Sequence, residues 1–396
     1  MNSPRKPIRS AADLAIHGAA PAYAVPIPVG RPNVGDRDAF VASVDRMFES
    51  GWLSNNGPMV EEFESRIADL LGVRHCVAVC NGTVALEIMI KAVGLTGEVI
   101  VPSYTFVATA HALSWLGLKP VFAEIDTETH NLDPEAIAGL ITPDTSGILA
   151  THLWGRPCQI DELQSLADQH GLSLMFDAAH AFLCSRGGRM IGGFGRAEVF
   201  SFHATKFFNS FEGGAITTND DELAERMRLM RNFGFASLDN SVEIGTNGKM
   251  TEICAGMGLV NLRNVDEVVS VNRANYHAYR EAFAEIDGIS IIESAAEPFN
   301  YQYIVAEVDE SFACSRDTIV AALQAENIMV RKYFWPGCHR MKAYQHDTLP
   351  SPQIMPNTEL VADRVIVMPT GIGLPSGTID VVRDVCIALS RGTEDV

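Results

Sequence analysis

No stretch of this chain approaches the roughly 20 consecutive apolar residues that a bilayer-spanning helix requires, so a membrane-embedded protein is not expected. Paired cysteines are also missing. The eight cysteines are scattered without a CxxC motif, Cys76 and Cys80 being the nearest neighbours, and no His/Cys cluster has the spacing of metal ligands. Thiols so placed are expected to stay reduced in a cytoplasmic compartment, and no metal site is expected. Positive charge is scarce: 30 Lys and Arg stand against 49 Asp and Glu, a net charge of -19. That balance argues against nucleic acid and anionic membranes as partners, and it leaves any anionic substrate to be held by local donors. There is no internal repeat and no low-complexity segment. The N-terminal AADLAIHGAAPAYA, preceded by Arg5, Lys6 and Arg9, has the outline of a secretory leader, but Asp13 and His17 interrupt it and its apolar run is short.

With 396 residues and 47% apolar content, the chain can bury a large core and is long enough for two or three domains. Strand-like runs at about 75–80, 98–103, 119–125, 147–153, 172–177, 198–203 and 214–218 alternate with helical segments. This pattern predicts an α/β fold whose mainly parallel seven-stranded sheet is covered on both faces. Beyond the helical stretch near Thr251, the runs NYQYIVAEVD, NIMVRKYF and RVIVMP predict a smaller α+β unit. The expected organisation is an N-terminal arm over 1–40 packing on the small domain, a large domain over 41–265 and a small C-terminal domain over 266–396.

Chemistry concentrates in SFHATKFFNSFEGG, Ser201 to Gly214. The run EVFSFH reads as a buried strand that delivers Lys206 just past its end, and active sites of open α/β sheets lie at such strand ends. Flanked by Phe202, Phe207 and Phe208, the lysine would be desolvated, which favours the free amine that a nucleophile requires. Upstream, LSLMFD ends in Asp177, a carboxylate that needs a cation if it is buried. Two readings compete for it: a helix N-cap ahead of Ala178 and Ala179, or the partner of a protonated pyridine nitrogen, since pyridoxal phosphate enzymes pair a lysine with such an acid. Asn81, Gly82 and Thr83 form a strand-to-helix turn whose N–H groups suit a phosphate, although Asn-Gly also simply makes turns.

In order, the chain shows NGT at Asn81, PSYTFVATA from Pro102, FDAAH at Phe176, SFHATK at Ser201, EGGA at Glu212, GTNGKM at Gly245 and PGCH at Pro336. Together these resemble the DegT/StrS-type nucleotide-sugar aminotransferases, which are fold-type I pyridoxal phosphate enzymes, from about Pro28 to the end. The resemblance implies that pyridoxal 5'-phosphate is bound in the large domain. Lys206 is then its covalent anchor and proton carrier, and Asp177 the partner of its ring nitrogen. It also implies that Phe106 stacks on the ring, that His180 bonds the ring hydroxyl, and that Gly82, Thr83 and Ser201 hold the phosphate. Asn247 is expected to reach the phosphate from a neighbouring subunit, making a homodimer with shared sites. Lys249 departs from the arginine common at its position.

Other positions keep two readings. Phe106 is either the stacking aromatic or plain core, and His203 either catalytic or a satisfied strand-end histidine. Thr105 and Thr109 read as ordinary helix polar positions. Trp52, Ser54 and Asn55 in WLSNNG are either substrate contacts on an entry loop or a turn before a helix. Tyr333, beside Arg331 and Lys332, is either a diphosphate contact or a solvated strand end, and His339 either lies near the substrate or on the surface. By the same resemblance the donor is L-glutamate. VGRPN, GWLSNNGP and HLWGRPC look most like the subgroup that aminates C4 of dTDP-4-keto-6-deoxyglucose. The alternatives are a 3-keto or GDP-linked sugar, a cyclitol, a sugar dehydratase on the same scaffold, or a noncatalytic cofactor-binding regulator.

Overall fold

The computed structural model describes residues 3–294, 296–345 and 354–391. Its centre is a sheet of seven strands: β1 (His75–Val79), β2 (Glu98–Pro102), β3 (Lys119–Ala123), β4 (Thr145–Thr151), β5 (Ser173–Asp177), β6 (Glu198–Ser201) and β7 (Gly214–Thr218). Their spatial order is β1-β7-β6-β5-β4-β2-β3. Only β7 opposes its neighbours, so β1 to β6 share one direction. The mainly parallel seven-stranded sheet read from the sequence is therefore the one observed. Strand edges differ by a few residues; the fourth strand starts at Thr145 rather than 147.

Both sheet faces are apolar because both are covered. Alternation along β1 sends Val77 and Val79 to one core, and Cys76 and Ala78 to the other. On the first side lie α3 (Gly82–Val93), α4 (Val107–Trp115) and α6 (Asp221–Arg231), contributing Leu86, Leu113 and Met227. On the second lie α1 (Arg37–Ser50), α2 (Pro58–Leu71), α5 (Ile160–His170) and α7 (Glu252–Leu262), contributing Met47, Phe63, Leu163 and Ala255. The buried Glu252 carboxylate receives the N–H groups of Met59 and Val60, each at 2.9 Å, and so caps α2 from another helix.

A helix over Val265–Phe283, α8, leads to a second sheet of β8 (Ile289–Ile291), β9 (Ile304–Val308) and β10 (Val365–Met368), which pair antiparallel in that order. It packs with α8, α9 (Arg316–Ala325), α10 (Pro356–Arg364) and α11 (Thr378–Ser390). NIMVRKYF forms only the two-residue strand Ile328–Met329, which pairs in parallel with Ile27–Pro28 of the N-terminal segment. That segment is tied to the end of α9, where the Glu326 carboxylate accepts from Ala15 N and Ala22 N at 2.6 Å each. Eight free thiols are present, and among the described residues no helix is long and apolar enough to cross a membrane.

Candidate active site

Because β1 to β6 run the same way, their carboxyl ends line one edge of the sheet, and a cavity of about 630 Å³ opens there. Asp177 ends β5, Thr151 ends β4, Ser201 ends β6, and Asn81 to Thr83 follow β1. Lys206 enters from a turn just past β6, its N–H bonded to His203 O at 2.9 Å. The site is thus built from chain crossings at adjacent strands, and Lys206, Asp177, His180, Phe106, Gly82, Thr83, Ser201 and Tyr333 all line it.

Asp177 is buried and accepts the Thr109 hydroxyl at 2.8 Å on Oδ2 and the Ala179 N–H at 3.1 Å on Oδ1. No helix begins there, so it closes a turn rather than capping a helix. Burial raises its pKa, opposed by the Thr109 and Ala179 hydrogen bonds and the nearby Lys206. Thr109 is the link a reading of ordinary helix polarity missed: it also bonds Phe106 O at 3.0 Å and meets Thr105 Oγ1 at 2.9 Å, so it ties the carboxylate to the start of α4.

Lys206 Nζ lies 3.2 Å from Tyr303 Oη. Burial pulls its pKa down to about 8, while Asp177 and Tyr333 pull the other way. His180 packs against Trp154 and Phe334, with ring centroids 5.9 Å away in each case. Its pKa falls well below the ordinary imidazole value because it is buried and faces Lys206. Phe106 is 55% exposed and faces the cavity, so it is not core. His203 bonds Thr205 Oγ1 at 2.8 Å and lies 3.4 Å from Glu212 on the cavity wall.

The far end of the cavity is the first turn of α3. Asn81 Oδ1 takes the Val84 N–H at 2.9 Å, leaving those of Gly82 and Thr83 without a protein acceptor among the described residues. Gly82 faces Ser201 so closely that a Cβ would stand 3.0 Å from the serine Cβ, and a Cβ on Gly214 would stand 2.7 Å from the Asn81 carbonyl carbon. A glycine-lined helix N-terminus at one end, with a lysine and a buried carboxylate at the other, fits a phosphorylated pyridine aldehyde in size and in charge.

Several expected contacts lie elsewhere. His339 is neither on the surface nor on the cavity: it is buried, with Nδ1 2.6 Å from Ser103 Oγ and Nε2 3.1 Å from Glu359, because the segment after Pro336 folds under β2. Trp52, Ser54, Asn55 and Asn247 do not line the cavity of their own chain. Asn55 lines a separate small cleft with Arg228, Arg231 and Lys249, where Lys249 bonds Asn232 Oδ1 at 3.1 Å and covers the Phe233 ring. Tyr303, Trp154 and Phe334 are the aromatic residues that sequence reading passed over; Tyr303 stood inside an apolar run that reads simply as strand.

The chain is 36% identical over 348 residues to the Escherichia coli dTDP-4-amino-4,6-dideoxy-D-glucose transaminase, covering 87% of this chain and 93% of that one. It is 31% identical to the Vibrio cholerae GDP-perosamine synthase, covering 91% and 97%. Among solved structures, that of DesI in the presence of its TDP-sugar product matches with a TM-score of 0.91 and 48% identity over 96% of this chain and 97% of that one. The family implies pyridoxal phosphate as cofactor. The family model matches residues 35–387, and the chain belongs to the DegT/DnrJ/EryC1/StrS aminotransferase family.

Proposed function

We propose that this enzyme moves the amino group of L-glutamate to C4 of dTDP-4-keto-6-deoxyglucose, with pyridoxal phosphate held by the residues that line the cavity. The observation that carries the reading is the convergence of Lys206, Asp177 and the open first turn of α3 on one cavity. Bound there, the cofactor supplies an electron sink that stabilises negative charge on the carbon losing its proton. Gly82 and Thr83 N–H groups with the Ser201 hydroxyl hold the phosphate at the helix dipole. Asp177, buried and oriented by Thr109, keeps the ring nitrogen protonated. Phe106 would stack on the ring, and His180 would bond its hydroxyl. Lys206 anchors the cofactor, then as a free amine takes the α-proton of glutamate and returns a proton to the sugar carbon.

Asn247, Trp52, Ser54 and Asn55 would then serve the cavity of a second copy in a homodimer. Exposed apolar side chains in the same two chain segments support this: Trp52 and Leu53 in the first, and Phe233, Phe235, Leu238 and Ile244 in the second. Free thiols and the lack of a membrane-spanning helix among the described residues fit a cytoplasmic enzyme. The similarity to a GDP-perosamine synthase keeps a GDP-linked 4-keto sugar as the second reading.

The deciding experiment incubates protein, cofactor, L-glutamate and dTDP-4-keto-6-deoxyglucose and identifies the product by mass and by proton couplings around C4. A 4-amino sugar and 2-oxoglutarate in equal amounts are expected. Conversion of the cofactor to its amine by glutamate without sugar product would reject this sugar and turn to the GDP-linked one.

A further inference from the structure

Trp154 has a backbone that a bulky residue rarely adopts, with φ at 60° in the left-handed region. The turn closed there aims its N–H at His180, whose Nδ1 accepts it at 3.3 Å. A ring nitrogen that accepts carries no proton, so neutral His180 holds its proton on Nε2, which stands 3.1 Å from Tyr303 Oη on the cavity wall. Burial keeps that ring neutral. The Trp154 ring also backs His180, with 21° between the ring planes and centroids 5.9 Å apart. A costly backbone of this kind persists only where its surroundings hold it, and the indole supplies the anchor. Trp154 is 2% exposed, and its Nε1–H has one partner among the described residues, His130 Nδ1 at 3.2 Å. An indole N–H only donates, so Nδ1 of His130 is bare and Nε2 carries the ring proton. That nitrogen lies 2.6 Å from the Glu307 carboxylate on β9. His130 is itself buried and left-handed, with φ at 61°, and the next residue, Asn131, takes the Leu153 N–H on Oδ1 at 3.0 Å.

We propose that His130, held by Glu307 of the smaller sheet, is a positioning residue for the cavity: through the indole of Trp154 it keeps the turn that fixes the proton of His180 on Nε2. This rests on His180 being the residue that bonds the cofactor's ring hydroxyl in the proposed function, where the Nε2 proton is what it offers. Each bond of the chain has one direction. Trp154 donates twice, from its main chain to His180 and from its indole to His130, and His130 donates on to Glu307. Neither His130 nor Glu307 lines the cavity, so both act through Trp154. The other face of the site is reached by the same ring, because Trp154 stacks on Phe334 with centroids 5.4 Å apart and planes at 10°, and Phe334 lines the cavity. Which nitrogen of a histidine carries the proton is set by the bond that the other nitrogen makes. For His180 that bond is held in place from β9, two residues removed from the cavity.

His130→Phe keeps a flat ring and removes the acceptor, whereas His130→Gln keeps a side-chain oxygen for the indole. The full chain, stripped of any bound cofactor, carries isotopic nitrogen only in its eleven histidines. Long-range proton–nitrogen correlations at neutral pH then read the tautomer of each ring, with His180 assigned by the loss of its signals in His180→Phe. Wild type is expected to show His180 as the single Nε2–H tautomer. In His130→Phe both tautomers should exchange, drawing the two nitrogen shifts together, and cofactor affinity from visible absorbance titration should fall about three- to tenfold. His130→Gln should restore the single tautomer and bring the affinity within about twofold of wild type. A single Nε2–H tautomer in folded His130→Phe overturns the proposal, and so does a His130→Gln that behaves like the phenylalanine variant, since the ring would then only fill space. Thermal melting checks folding; if His130→Phe does not fold, Trp154→Phe, which removes the indole N–H from the other side, is measured instead and must free the tautomer too. Because the tautomer is read without cofactor, its release in His130→Phe beside a wild type that captures no cofactor would leave the hydrogen-bond chain standing and reject the functional reading.

Discussion

Lys206 sits where its charge is least welcome, in a cavity lined by Tyr303, Tyr333 and Phe334, and its pKa falls from 10.5 to about 8. Below about pH 8 the folded chain carries a desolvated ammonium, whereas the unfolded chain hydrates it. Between about pH 8 and 10.5 the unfolded chain binds the extra proton, so this group makes stability rise with pH. Lys206→Met should therefore stabilise the cofactor-free protein at pH 7 by about 1–3 kcal/mol, discounted for access through the cavity. The gain should shrink as pH approaches 10.5. Urea unfolding at pH 7 and pH 10 checks this, and a gain that grows with pH would contradict a buried amine. Both that variant and Lys206→Ala should lose transamination altogether, measured as 2-oxoglutarate formation; wild-type rates in either would reject the lysine as proton carrier.

The same opposition of stability and function recurs at the first turn of α3. Helix N-termini are normally closed by side chains, yet here Asn81 takes the Val84 N–H and two donors stay open toward the cavity. Gly82→Ala would place a Cβ 3.0 Å from Ser201 Cβ, tight enough to push the serine out of the cradle. Cofactor affinity is expected to fall at least about tenfold, read by visible absorbance titration, with the melting temperature nearly unchanged because the helix geometry accepts alanine. At α2 the opposite applies: Glu252→Ala would strand the N–H groups of Met59 and Val60 in a buried setting and cost about 1–3 kcal/mol in urea unfolding. Elements of this kind were legible in the sequence where period and position coincide. The strand exits at Asp177 and Lys206 follow from apolar runs that stop at a polar residue, and all seven strands of the large sheet follow from the same signal. What was hidden depended on distant packing. Tyr303 reads as one more strand residue until β9 is brought against His180, and His339 reads as a free polar group until Ser103 and Glu359 close around it.

At the level of the whole molecule the cavity joins two parts of the chain, since Tyr303, just before β9, and Tyr333 meet Asp177 and Lys206 there. Motif residues Trp52, Ser54, Asn55 and Asn247 remain outside it, and Asn55 shares a cleft with exposed Phe235. A two-fold related copy would bring the same patch to both cavities at once, because an isologous interface is reciprocal. That symmetry makes a complementation test decisive. Lys206→Ala removes the amine from a chain's own cavity, and Asn247→Asp would set a carboxylate against the phosphate in the partner's cavity; each homodimer should be inactive. After unfolding and refolding the two variants together in equal amounts, about half of the dimers are mixed. Each mixed dimer has one cavity lacking both groups and one with Lys206 and Asn247 both intact. About a quarter of the wild-type sites should therefore return, measured as the rate of 2-oxoglutarate formation. If Asn247 acted on its own chain's cavity, every cavity in every dimer would carry one lesion and the mixture would stay inactive.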